Sequence, residues 1–274
     1  METKTKIVFL GDSITEGIGS RKITYVNDIR DYYKDNATIE ITNLAMSGTT
    51  IHYAETMIKK IKNLNPNIVV IMYGNVDVQE HYDLSKNRFG LVSLTPRRYK
   101  EIKSMLNPRP FISHRPIKKQ LDYLDDFYRK IWRWVIVKTQ GTIQFVSLDE
   151  YEKIYRYICD ELSDYKIIVC STIYPDKKIY HENNMENYCC INEMMKSIAD
   201  ESSGRVFVDL YGFLKKKVEL NGWDSVYYRD HFHPNSDGNR MIAQKLEKIL
   251  DVLIDEKIYN LTGENHESDR KNQK

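Results

Sequence analysis

The chain has 274 residues, 41% of them hydrophobic and 29% charged, a size and balance that suit a folded α/β domain and exclude the low-hydrophobicity signature of a disordered chain. With 41 Lys plus Arg against 39 Asp plus Glu, the net charge of +2 gives no global drive toward nucleic acid or a membrane, so any electrostatic preference must be local. Cys159, Cys170, Cys189 and Cys190 have neither the spacing of a metal site nor that of a disulfide framework, and they read as reduced and mostly structural.

The first apolar run, Ile7, Val8, Phe9 and Leu10, has the length of a buried strand. It is too short for a signal-peptide core or a membrane span, so a cytoplasmic location is expected. The run leads directly into Gly11, Asp12, Ser13, Ile14, Thr15, Glu16 and Gly17. A serine at the carboxyl end of a first parallel strand lies where open α/β sheets place ligands, which suits a nucleophile. The same residues also fit a glycine turn with Asp12 or Ser13 capping a helix.

Further strands are expected at 38–44, 67–73, 166–171 and 205–210, each short and apolar on both faces, as in a parallel sheet covered on both sides. Helical patterns at 23–34, 53–64, 185–200 and 236–257 separate them, and this alternation predicts a doubly wound α/β sheet of five strands. In the last helix Met241, Ile242, Leu246, Ile249, Leu250, Leu253 and Ile254 recur at three- and four-residue steps, which puts one face on the sheet. The second strand is followed by Gly48, a residue suited to a turn of positive φ, and the third by Tyr73, Gly74, Asn75, Val76 and Asp77.

Residues 78–163 are too long for a simple crossover and must hold an insertion, expected as a lid over the ligand end of the sheet. Within it 121–138, with Trp132 and Trp134, and 148–162 read as helices, while 87–117 mixes Pro, Gly and basic residues. The stretch 96–119 sets Arg97, Arg98, Lys100, Lys103, Arg109, Arg115, Lys118 and Lys119 against the single acid Glu101. It reads either as a contact for an anionic glycan, a phosphate-bearing carrier or an anionic membrane face, or as a solvated loop, with Arg97, Arg98 and Asp12 as candidate substrate-binding residues. The tyrosines and the Trp132 and Trp134 pair could stack on sugar rings, although most suit ordinary core and surface positions. Residues 1–261 are expected to form one domain, and 262–274, without an aliphatic side chain, a disordered tail.

Near the far end come Asp230, His231, Phe232, His233, Pro234 and Asn235. An Asp three residues before a His on a turn can reach back to one ring nitrogen and leave the other to take a serine proton. The alternatives are a surface turn in which Asn235 caps a helix, and a metal site of Asp230, His231 and His233, for which no further cluster of ligands completes the set.

Taken in order along the chain, Gly11, Asp12, Ser13 and then Asp230, His233, Pro234 resemble the paired motifs of the SGNH (GDSL) hydrolase superfamily. The resemblance implies a flavodoxin-like three-layer sandwich and a serine esterase in which Ser13 attacks, His233 is the base and Asp230 orients it. It also implies an oxyanion hole from the backbone N–H groups of Ser13 and Gly48. The family's block-three asparagine falls on Val76, so Asn75, one residue early, is expected to turn in and supply the third contact. No metal or organic cofactor is implied, and nucleic acid is not an expected partner. Removal of a short acyl group, such as acetyl, from a carbohydrate is the expected reaction. An O-acyltransferase acting on a surface polysaccharide or its precursor shares the same machinery, and Val76 also admits a catalytically weakened binding protein. His231 should be dispensable for proton transfer.

Overall fold

The computed structural model describes residues 4–18, 23–100, 106–180 and 182–271, with the backbone alone for 182–183 and 256–271. Five parallel strands form the sheet: β1 (Thr5–Gly11), β2 (Ile39–Asn43), β3 (Ile68–Met72), then, after the insertion, Lys166–Cys170 and Arg205–Val208. Two short strands inside the insertion, β4 (His81–Tyr82) and β5 (Thr142–Ile143), pair antiparallel, so the last two sheet strands are β6 and β7. The sheet order is β2-β1-β3-β6-β7, the doubly wound flavodoxin-like arrangement expected from the sequence.

Alternation along each strand divides the core into two. Ile7, Phe9, Val70, Met72, Ile168 and Cys170 face one side, where they meet α2 (Tyr25–Tyr32), α9 (Leu210–Asn221) and α10 (Ser236–Lys271). Val8, Leu10, Val69, Ile71, Ile167 and Val169 face the other, against α3 (Ile51–Leu64), α7 (Leu148–Glu161) and α8 (Glu182–Asp200). Helix ends are set locally: Thr24, Ser147 and Asp209 each accept a backbone N–H at the start of α2, α7 and α9. The helix α9 carries no strong apolar periodicity and was not expected from the sequence.

The insertion after β3 is narrower than 78–163, because α7 packs in the layer against the sheet rather than over its end. What remains contains the β4–β5 pair, α4 (Leu91–Leu94), α5 (Arg97–Lys100) and the long α6 (Pro116–Gln140). Tyr82, Tyr99, Leu106 and Ile136 make its own small core, with Trp132 and Tyr128 packed on it. The helix α10 continues beyond its apolar stripe, so its backbone takes in residues 262–271, where a disordered tail was expected. Residues 272–274 lie outside the described part.

Candidate active site

Chain order places the first piece of the site. After β1 the chain adds β2 on one side of it and then β3 on the other, so the carboxyl end of β1 is the point where the sheet reverses direction of growth and a crevice opens. Asp12 caps the single-turn helix α1 (Ser13–Glu16) by accepting the Ile14 N–H at 2.9 Å, which fixes the turn and presents Ser13 at the crevice. Gly11 permits this turn: a Cβ there would come within 2.1 Å of Thr15 Oγ1.

The second piece is a tight loop before α10. A bridge between Tyr227 and Pro234 closes its base, Tyr228 N–H donates to the His233 carbonyl, and Asn235 caps α10 through the Gly238 N–H. The capping role weighed for Asn235 is therefore present alongside the site. At the loop's tip Asp230 Oδ1 accepts the backbone N–H groups of Phe232 and His233, and Asp230 Oδ2 lies 2.5 Å from His233 Nδ1. His233 Nε2 is 3.0 Å from Ser13 Oγ, a contact between residues 220 positions apart. Asp230 is almost wholly buried, so its charge is spent on the ring and the loop rather than on water.

His231 stands apart from this chain of contacts. In the left-handed region at φ 49, its ring turns toward Asp176, 2.7 Å from Nδ1, and stacks on Trp223. Asp176 as its partner had no signal in the sequence, because the two residues are 55 positions apart.

The structure corrects the reading of Asn75. Its side chain does not turn toward Ser13: Nδ2 donates to Asp12 Oδ2 at 3.2 Å, Oδ1 accepts the Ile173 N–H at 2.9 Å, and the residue is fully buried. Val76 is the residue on the cavity wall. The two residues sit in the turn that follows β3, which puts Val76 on the cavity wall and sends the Asn75 side chain into the interior, where it braces Asp12. Asp12 likewise lies beneath the site rather than in it. Burial raises its carboxyl to about 6, against the opposing pull of the Ile14 N–H, Asn75 and His233. Asp77 is raised to about 7 by burial, although it accepts the Ile51 and Gly74 N–H groups.

A cavity of about 390 Å³ opens beside the serine. Ser13, Gly48, Val76, Asp230 and His233 form its inner wall, and Asn107 to Phe111, Arg129 and Phe145 bring the insertion to the opposite one. Gly48 has φ +74 and clear space where a Cβ would be, so backbone strain rather than crowding favours glycine there. Gln79, which sequence reasoning passed over, lines the cavity while 3% exposed, and its Nε2 has no hydrogen-bond partner among the described residues.

Arg97 and Arg98 do not line this cavity; Arg109 and Arg129 do. The carboxylates that settle the basic segment come from α6, beyond the segment itself. Asp125 accepts from Arg98, Arg109 and Arg129 at 2.7 to 2.8 Å and from the Tyr99 hydroxyl. Burial works against its charge, but the bonds from Tyr99, Arg129 and Arg109 prevail and hold the carboxyl near 2. Arg98, exposed at the surface, and Arg109 are thus paired with carboxylates of α6, while Arg115, Lys118 and Lys119 stay exposed. Lys103 lies outside the described residues. Among the described residues no cluster of three His, Cys, Asp or Glu could hold a metal ion.

A serine, a histidine and an aspartate linked in this order at the carboxyl edge of a doubly wound parallel sheet define the arrangement of a serine hydrolase. The GDSL-like lipase/acylhydrolase family profile matches residues 7–246, and the chain belongs to that family: it is a carboxylic ester hydrolase of the SGNH type. Solved structures with a similar fold include Axe2, an acetylxylan esterase from Geobacillus stearothermophilus, at 20% identity and a TM-score of 0.55 over 90% of this chain and 95% of that one. A catalytic mutant of the same esterase superposes with a TM-score of 0.57 at 18% identity, covering 90% and 95%. LAE5, an alpha/beta hydrolase enzyme from the metagenome of Lake Arreo, Spain, gives 0.56 at 18% identity, covering 90% and 94%. A search of curated protein sequences found no match.

Proposed function

We propose that the chain removes a short acyl group, acetyl by preference, from a carbohydrate or related ester through an acyl-enzyme on Ser13. The observation that carries this reading is the contact of Ser13 Oγ with His233 Nε2 on the wall of the cavity. His233 takes the Ser13 proton as the serine oxygen bonds to the acyl carbon, then returns that proton to the departing alcohol. Water, deprotonated by the same ring, releases the acid and restores the serine. Asp230 holds Nδ1 as the donor, so Nε2 is left as the acceptor.

The oxyanion formed on the acyl carbonyl is met by the backbone N–H groups of Ser13 and Gly48. Val76 offers the oxyanion no side-chain donor, and the buried, unpartnered Gln79 amide behind the cavity wall is the side-chain donor nearest to hand among the lining residues. Apolar Val76, Phe145 and Phe232 on the wall support a short acyl chain, and the likeness in fold to acetylxylan esterases supports a sugar as the alcohol. Free thiols at Cys159 and Cys170, both buried, fit the cytoplasmic location we propose.

The test is release of p-nitrophenol from its acetate and butyrate esters, followed by acetate release from a panel of acetylated glycans. Acetate esters should be preferred, with a burst equal to one acyl group per chain and none from Ser13→Ala. A preference for long acyl chains, or an unchanged rate in Ser13→Ala, would overturn the reading. Acyl transfer to an added sugar in place of hydrolysis would assign the acyltransferase alternative.

A further inference from the structure

The helix α6 is mounted with its polar face inward. Asp122 accepts the Ser113 N–H, Asp125 binds three arginines, Asp126 pairs with Arg229, and Arg129 is buried among them. These contacts decide the rotation of the helix, and at 100° per residue they leave Ile117, Leu124, Phe127, Ile131 and Trp134 on the opposite side. Phe127 and Trp134 are each 63% exposed. Seven of the seventeen large exposed apolar side chains among the described residues lie on this one helix, so the exposure is a contiguous stripe rather than ordinary scatter.

The charge beside the stripe has one sign. Lys119, Lys130 and Lys138 are exposed along the same arc, and no acid of α6 falls on it. Trp134, Phe127 and Ile131 also line an open groove of about 740 Å³ whose rim holds Lys177 and Lys178. The groove lies next to the active-site cavity: Ile179 borders the first and Tyr180 the second. No helix among the described residues is long and apolar enough to cross a membrane.

We propose that the outer face of α6 is a docking surface for an anionic lipid bilayer, on which the helix lies in the interface with its aromatic and aliphatic side chains inserted and its lysines against the headgroups. Charge complementarity selects this occupant. A second copy meeting the first through the same face would set lysine rim against lysine rim, since a two-fold contact repeats the patch on both partners. A soluble anionic glycan would satisfy the lysines but leave Ile117, Leu124 and Ile131 without apolar cover. Docked in this way, the protein presents its active-site cavity beside the membrane surface.

Co-sedimentation with vesicles tests the proposal, using phosphatidylcholine alone and phosphatidylcholine mixed with phosphatidylglycerol in equal amounts. The full chain should bind the mixed vesicles and shift its tryptophan emission to the blue as Trp134 leaves water. Phe127→Glu with Trp134→Glu should abolish both signals while the thermal midpoint and circular dichroism stay unchanged, because neither side chain is packed in a core. Lys130→Gln with Lys138→Gln should weaken binding about twentyfold or more, at about 1 kcal/mol for each basic residue near an anionic surface. Equal binding to neutral and mixed vesicles, or no effect of the glutamate pair, would overturn it. So would a concentration-dependent dimer in sedimentation velocity that the glutamate pair dissolves, or binding to heparin without binding to vesicles.

Discussion

The sheet body and the insertion meet across one cavity, yet they are built on different physics. The body buries apolar strand residues on both faces, and its cavity wall consists of groups at the ends of strands and in a loop tied down by backbone hydrogen bonds. The insertion has a core of only a few side chains and takes its shape from ion pairs, with Asp125 gathering three arginines. A rigid half thus supplies Ser13, Asp230 and His233, where an error of an ångström is expensive for proton transfer. The polar half supplies the wall that meets the rest of the substrate, where adjustment is tolerable.

This contrast can be broken most sharply at the site. Ser13→Ala or Asp230→Asn should lower kcat by about ten-thousandfold or more, whereas Phe111→Ala on the insertion wall should raise KM several-fold and leave kcat nearly unchanged. Steady-state kinetics on an acetate ester separates the two, and a large fall in kcat for Phe111→Ala would remove the division of labour.

Stability gives the next largest effect. Ile168 and Ile136 are both fully buried, the first in the sheet and the second in the insertion's small core. Ile168→Ala should cost about 2 to 5 kcal/mol of global stability in urea unfolding. Ile136→Ala should instead speed amide exchange within 79–146 well before the sheet opens, because small clusters unfold locally. Identical exchange patterns in the two variants would show one cooperative unit.

The same division should appear with pH. Burial raises Asp12 to about 6 and Asp77 to about 7 from an ordinary 3.8, so these two bind protons more tightly folded than unfolded. Their contribution to stability therefore falls as pH rises from near 3.8 to about 7 and is flat above that, with a slope of at most about 1.4 kcal/mol per pH unit for each group. Asp125 works in the opposite sense. Held near 2, its stabilisation is complete above 3.8 and is lost as pH falls toward 2. Acid should loosen the insertion while the buried aspartates of the body favour folding, which hydrogen exchange at pH 3 and pH 6 can compare region by region.

The smallest effect should come from His231→Ala. The ring is held by Asp176 and Trp223 away from Ser13, so kcat should stay within a few-fold of wild type while the melting temperature falls by a few degrees for a loss of about 1 kcal/mol. Loss of activity equal to that of His233→Ala in a folded protein would reassign the base.

Much of the body was legible in the sequence because its signals are local. The five strand segments were marked by short Val- and Ile-rich runs, and Ser13 and His233 by the turns that follow a strand or precede a helix. The helix α9 lacked such a pattern and went unread. For α6, the Asp122 and Asp125 carboxylates lay just beyond the basic window of 96–119, so counting charge along the chain missed the partners that Arg98 and Arg109 find there. Asn75 was misplaced because a one-residue offset looks minor in sequence, but in the turn after β3 it sends the side chain into the interior, to Asp12 and the Ile173 N–H, rather than to the cavity.

The sequence by itself determined the five strands of the sheet and most of the helices that cover it, the doubly wound class, and the pair of motifs that name the nucleophile and its base, since each depends on residues within a few positions of one another. Tertiary structure alone decided that Asn75 braces Asp12, that Gln79 reaches the cavity, that Arg109 and Arg129 replace Arg97 and Arg98 on its wall, and that α6 turns its apolar face outward. Those outcomes depend mostly on partners far along the chain, such as Asn75 with Asp12 and Arg109 with Asp125, brought together by burial and ion pairs that no local pattern encodes.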